Sequence, residues 1–196
     1  MRIVKEQDER NAAKHRPGFT LIEMLTVVAI ILTLVCLLVP AIYTIRKSAQ
    51  RTRAQADIAT INHGLKQYFN EYQQWPTNMV GNDNGDVENN AAITGIPVSN
   101  NVVAMLGGQD INGNNPRLMQ FMEVPPQSVG AGGSFVDPWR NPYKYMCDYN
   151  GDGDVKIKFK SGEANLTNTT VGVWSCGPDG KDDSDQTRKD DLASWK

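Results

Sequence analysis

The sequence predicts an α+β fold: a long N-terminal helix, membrane-spanning over its first half, packed on a small antiparallel sheet. Three observations predict it. Positions 24–45 hold 22 consecutive residues without a charge, long enough to cross a hydrocarbon core as a helix. Apolar residues then recur at steps of three or four through Tyr72, the period of a helix with one buried face. From Phe135 to Cys176, short alternating stretches punctuated by Gly, Asn and Asp read as strands and turns.

Residues 1–18 form a leader, in which Arg2, Lys5, Arg10, Lys14 and Arg16 stand against Glu6, Asp8 and Glu9. An ordinary secretory signal has an apolar core of only about 7–15 residues. The run here is longer, and a lone carboxylate, Glu23, interrupts its start. At the centre of a membrane helix a carboxylate costs on the order of 3 kcal/mol, so Glu23 needs either headgroup water or a partner.

Residues 19–45 are the transmembrane half of the helix and residues 46–75 its amphipathic half. Pro40 removes one helical hydrogen bond and predicts a kink, since helical periodicity resumes at once. Ala54, Ile58, Ile61, Leu65, Tyr68, Phe69 and Tyr72 share one face; Arg53, Asp57, Asn62 and Lys66 share the other. Gly64 weakens the helix slightly. A helix over 20–72 would be about 80 Å long. Trp75-Pro76-Thr77 ends it, because the residue before a proline avoids the helical region.

Residues 76–196 form the head. Its Asn- and Gly-rich stretch over 78–115, with the acidic cluster Asn82-Asp83-Asn84-Gly85-Asp86, reads as loops. Short helices are expected at 102–106 and, after Asn115-Pro116-Arg117, at 118–122. A first strand runs through Tyr143, Tyr145 and Cys147. A second turns Val155, Ile157 and Phe159 inward and Lys156, Lys158 and Lys160 outward, and a third covers 171–176.

Composition excludes several functions. Net charge is −2, so nothing supports nucleic-acid binding. The two histidines are His15, in the leader, and His63, which leaves no imidazole cluster for catalysis or metal binding. No phosphate loop or Cys-x-x-Cys is present, and an enzyme is not expected. Of three cysteines, Cys36 reads as a small buried hydrophobe. Cys147 and Cys176 lie at strand ends; they either bridge, if exported and if the strands bring them together, or stay thiols. A bridge would add roughly 3–4 kcal/mol. Asp148, Asn150, Asp152 and Asp154 match the opening half of an EF-hand-type Ca2+ loop, but Phe159 stands where the bidentate glutamate belongs. The same Asn-Gly and Asp-Gly pairs make plain turns.

Gly18-Phe19-Thr20-Leu21-Ile22-Glu23 resembles the N-terminal methylation motif of type IV pilins and of the pseudopilins of type II secretion. Trp75-Pro76-Thr77 is similar to the Tyr-Pro-Thr of the major, G-type pseudopilins. Asp137-Pro138-Trp139-Arg140-Asn141-Pro142-Tyr143 resembles their Asp-Pro-Trp-Gly-x-Pro-Tyr, with Arg140 in place of glycine, so a positive φ there would be strained. Ser175-Cys176-Gly177-Pro178-Asp179-Gly180, with Asp190-Asp191-Leu192-Ala193-Ser194-Trp195, resembles their C-terminal calcium loop.

The resemblance implies cleavage after Gly18 by a prepilin peptidase and N-methylation of Phe19. It implies pairing of Glu23 with the Phe19 amine of a neighbouring subunit. The tail match implies Ca2+ ligands at Asp179, Asp190 and Asp191, with a carbonyl near Cys176. The spacing departs from the family over 181–189, which adds Asp182, Asp183 and Asp185; a solvated acidic tail is the other reading. The implied protein is a single-pass subunit of the bacterial inner membrane with a periplasmic head. It would polymerise with itself and other pseudopilins into a helical filament on an inner-membrane assembly platform, driving export of folded proteins. Basic residues flank both ends of the span, so the processing motif orients it and the charges do not. Rival readings are a type IV pilin for adhesion, motility or DNA uptake, and a membrane-anchored exported enzyme or calcium-binding sensor.

Overall fold

The computed structural model describes residues 18–77, 95–159, 162–181 and 190–195, with the backbone alone for 158, 159 and 162–164. The leader before Gly18, the acidic cluster at 82–86, Lys160, and Asp182, Asp183 and Asp185 lie outside the described residues. The chain divides into two units, Met1–Ile45 and Arg46–Lys196.

One helix, α1 (Leu21–Tyr72), begins in the first unit and ends in the second, with Pro40 inside it. In the first unit every described side chain is exposed, Cys36 among them. Thr26, Thr33 and Thr44 hide their hydroxyls in this stretch by donating to the carbonyls of Ile22, Ile30 and Pro40.

In the second unit α1 buries the face its periodicity predicts: Ala54, Ile58, Ile61, Leu65 and Tyr68, with Phe69 and Tyr72 at its margin. Gly64 belongs to the same face. A Cβ there would lie 3.2 Å from the Met122 Cβ, so the glycine admits the 121–122 segment directly against the helix. Gln73 stops α1 by adopting a φ of 54° while its N–H donates to the Phe69 carbonyl. Trp75 then folds back and stacks on Phe69 at 4.4 Å.

The opposite face of α1 is not simply solvated. Asp57 accepts a hydrogen bond from the Tyr143 hydroxyl at 2.9 Å, and the Asn62 amide donates to the Val171 carbonyl at 3.3 Å. These polar residues face the sheet, where their groups meet partners that periodicity alone cannot reveal.

The strands are β1 (Ile96–Pro97), β2 (Lys144–Cys147), β3 (Val155–Phe159), β4 (Gly162–Leu166), β5 (Val171–Ser175) and β6 (Leu192–Ala193); a second helix, α2 (Asn100–Leu106), follows β1. An antiparallel sheet takes the order β1-β2-β5-β6, and β3 and β4 pair separately. The expected succession of three strands is thereby corrected: β3 pairs with β4, which lay unread in Gly162-Glu163-Ala164-Asn165-Leu166, and β2 pairs with β5. Every residue of β5 is buried. Its second face is covered because Gly172 has no side chain: a Cβ there would meet Ile157 at 2.9 Å and Trp195 at 3.2 Å.

The helix expected at 118–122 is absent. Leu118 has a φ of 53°, which no right-handed helix accepts, and the segment is irregular, with Leu118 exposed. Asn115 is the cause. Fully buried, it donates to the carbonyls of Met105 and Met119 and accepts from the Met119 N–H and the Tyr72 hydroxyl. Those bonds hold the chain across α2 instead of letting it wind.

Candidate functional site

Three regions carry the residues singled out by sequence. The first is the start of α1. Gly18 and Phe19 are exposed and precede the helix. A Cβ on Gly18 would meet nothing within 4 Å, so no packing among the described residues requires a glycine there. Glu23 does something its sequence reading missed. Its Oε2 accepts hydrogen bonds from both the N–H and the hydroxyl of Thr20, each at 2.7 Å. The Thr20 hydroxyl in turn accepts the Glu23 N–H at 3.3 Å. This is a capping box, satisfying donors left free at a helix N-terminus. Its signal, Thr-x-x-Glu, stands in the sequence at 20–23. The first unit supplies the one candidate membrane span among the described residues, with a mean hydropathy of 2.9 over its most apolar window.

The second region is the tail. The pairing of Ser175 with Leu192 brings the two arms of the tail together just beyond the end of the sheet. Gly177, at φ 64°, touches the other arm so closely that a Cβ would lie 2.7 Å from the Asp190 carbonyl oxygen. Asp179 caps its own turn by accepting the Lys181 N–H, and Asp191 is buried. Among the described residues no group of three or more His, Cys, Asp or Glu side chains gathers closely enough to hold a metal. The donor chemistry still suits a hard cation: all three candidate side chains are carboxylates, on two arms that touch.

A buried relay holds this tail. The Asp137 carboxylate, 2% exposed, accepts from the Trp139 and Asn141 N–H groups at 2.9 and 2.8 Å and from the Ser175 hydroxyl at 2.6 Å. The Ser175 hydroxyl accepts the Gly177 N–H, and the Asn141 amide donates to the Gly177 carbonyl at 2.7 Å. Both polar atoms of Gly177 are thus fixed by the Asp137 turn. Burial pushes the Asp137 carboxyl above its usual range, against the hydrogen bonds from Ser175, Asn141 and Trp139. Within the turn, Arg140 has a φ of 76°, the strained angle expected where the resembling motif has glycine. The phrase was legible; its connection to Ser175, 38 residues on, was not.

The third region is the loop from Asp148 to Asp154, which joins β2 to β3 across two separate sheets. Its carboxylates accept mostly from backbone N–H groups. Asp148 accepts the N–H groups of Gly151 and Gly153; Asp152 accepts those of Asp154 and the Asn150 amide; Asp154 accepts the Asn168 N–H. Hydrogen bonds from Asp154 and Asn150 hold the exposed Asp152 carboxyl below its usual range. The arrangement is a turn whose carboxylates already carry hydrogen bonds.

The proposed bridge between Cys147 and Cys176 is corrected. Both are buried free thiols. Antiparallel register sets Cys147 opposite Val171, five residues along the strand from Cys176. That is roughly 16 Å at 3.3 Å per residue, against a Cα separation below about 7 Å for a disulfide. The strands do pair, but they leave the two cysteines at opposite ends.

Residues 13–36 match a family described as the prokaryotic N-terminal methylation motif. The chain is 25% identical over 167 residues to the type II secretion system core protein G of Aeromonas hydrophila, covering 83% of this chain and 94% of that one. It is 25% identical over 182 residues to the protein of the same name from Pseudomonas aeruginosa, covering 93% and 96%. No solved structure matches.

Proposed function

We infer that the chain is a G-type pseudopilin, a structural subunit of a type II secretion system. The carrying observation is a coincidence of two likenesses. The methylation motif falls on the start of an apolar helix, and similarity to two core proteins G runs over nearly their whole lengths. The fold is the one such a subunit needs: an exposed apolar half-helix, suited to lipid or to other subunits, and a head with its own core.

The finer reading follows from that identity. Prepilin peptidase cleaves after Gly18, and the new Phe19 amine is methylated. Both residues are exposed, as a processing site requires. The mature subunit is a single-pass protein of the inner membrane with its head in the periplasm. It assembles with copies of itself and with other pseudopilins on the membrane platform, and filament growth drives folded proteins outward. N-terminal sequencing of the chain recovered from membranes of cells with the peptidase tests this. A start at N-methylphenylalanine 19 is expected; any other start overturns the processing reading.

Calcium is the proposed cofactor of the tail. Asp179, Asp190 and Asp191 would hold it, and it would supply positive charge binding one arm of the tail to the other. Contact between Gly177 and Asp190 supports this reading. Millimolar calcium should raise the unfolding midpoint of the full chain in detergent, and chelator should lower it. A ligand at about 100 times its Kd adds about 2.7 kcal/mol; an unchanged midpoint refutes a structural cation.

A further inference from the structure

Arg46, Lys47, Arg51 and Arg53 place four cations in eight residues of α1, directly after the charge-free run. No acidic residue occurs between Glu23 and Asp57. Arg46, Lys47 and Arg53 are exposed and Arg51 is half-buried. The carboxylate next along the helix, Asp57, accepts the Tyr143 hydroxyl and lies near Arg53, four residues before it. The part of the head to which Arg53 bonds also brings no acid. Arg53 donates to the Ser128 hydroxyl at 2.8 Å, and Ser128 lies in a stretch, 124–136, that contains no charged residue.

Position along the helix then selects the partner. Twenty-two residues at 1.5 Å rise span about 33 Å, close to the roughly 30 Å thickness of a hydrocarbon core. With the charge-free run in a bilayer, Arg46 and Lys47 fall at the headgroup layer. Arg53 follows about 10 Å further on, near the Debye length of about 8 Å at physiological salt. We propose that these four residues form a cationic collar that binds the headgroups of anionic phospholipids in the leaflet from which the head emerges. The collar would fix the depth of the helix and hold the head against the membrane until the subunit is withdrawn into a filament. The proposal rests on the run being a membrane span, and it is independent of which way the span is oriented.

The test uses the full chain reconstituted in phosphatidylcholine bilayers carrying spin-labelled phosphatidylglycerol or spin-labelled phosphatidylcholine. Electron spin resonance reads the fraction of each label immobilised by the protein. Phosphatidylglycerol should be preferred, and the preference should fall as salt rises. Arg46→Gln with Lys47→Gln removes two exposed cations. It should reduce the preference on the order of fivefold per charge. The leader's cations are common to both proteins and cancel in the comparison. Equal immobilisation of the two lipids by the unaltered chain overturns the proposal. So does a preference that survives the double substitution. If the double variant keeps its lipid preference but loses self-association, the collar's partner is a second copy of the chain and the lipid proposal is wrong. A chain that fails to insert at all would refute the membrane span, and the collar with it.

Discussion

Arg140 shows how a single residue can sit in a sound fold and still be poorly placed. Its φ of 76° lies in the left-handed region, where the Cβ of any residue but glycine is crowded. The turn holds it there: the Arg140 N–H donates to the Asp137 carbonyl, and the Asp137 N–H donates to the Asn141 carbonyl. Strain of this kind costs about 1–3 kcal/mol. Arg140→Gly should therefore stabilise the head, by about 1 kcal/mol after glycine's greater unfolded-state freedom is allowed for. A denaturant midpoint that rises without a change in slope would show it; a fall would mean that Arg140 makes a compensating contact. At this scale the sequence was readable where a residue departed from a motif, as here. It was silent where function depended on distant partners. Asn115 looks like any loop asparagine until Tyr72, Met105 and Met119 surround it, and Asp137 looks like a turn former until Ser175 bonds to it.

Among elements, the join between α1 and the sheet is partly ionisable. The Asp57 carboxyl is pushed above its usual range mainly by burial, against the Tyr143 hydrogen bond and the nearby Arg53 charge. Burial pushes the Tyr143 hydroxyl upward as well. A carboxyl whose pKa rises on folding binds more protons folded than unfolded. Its contribution is complete below the unfolded value, near 3.8, and disappears as pH climbs through the folded value. Asp57→Asn removes this titration while keeping an oxygen to accept the Tyr143 hydroxyl. The difference in unfolding free energy between the native chain and Asp57→Asn should therefore move against the native chain as pH rises from about 4. A difference independent of pH would show that Asp57 is fully solvated. Periodicity placed Asp57 on the polar face of the helix correctly and implied the wrong surroundings, since period reports the face and not what covers it. The same limit explains the strands. β2, β3 and β5 have enough residues to alternate, whereas β1 and β6 have two each and carry no period at all.

For the molecule as a subunit, the decisive question is what Glu23 does, because two roles now compete for one carboxylate. Within the chain it closes a capping box with Thr20 and needs nothing else. Between chains it is proposed to neutralise the amine that cleavage creates on Phe19. Glutamine separates the roles. A capping box accepts Gln as readily as Glu, since an amide oxygen can take both Thr20 donors. The charge, however, is gone, and an amide cannot neutralise an amine in a low-dielectric setting. Glu23→Gln should leave the helix content of the detergent-solubilised subunit unchanged, as read by circular dichroism, and should leave processing at Gly18 intact. Filament formation should be lost, as read by shearing and sedimentation of the assembled fraction. Thr20→Ala makes the converse change: it removes the hydroxyl of the cap, at a cost of about 1 kcal/mol to the helix start, and keeps the carboxylate. If Glu23→Gln assembles normally while Thr20→Ala does not, capping is the function of this carboxylate and intersubunit pairing is refuted. If the outcomes are reversed, the cap holds Glu23 in place only until a neighbouring amine displaces Thr20.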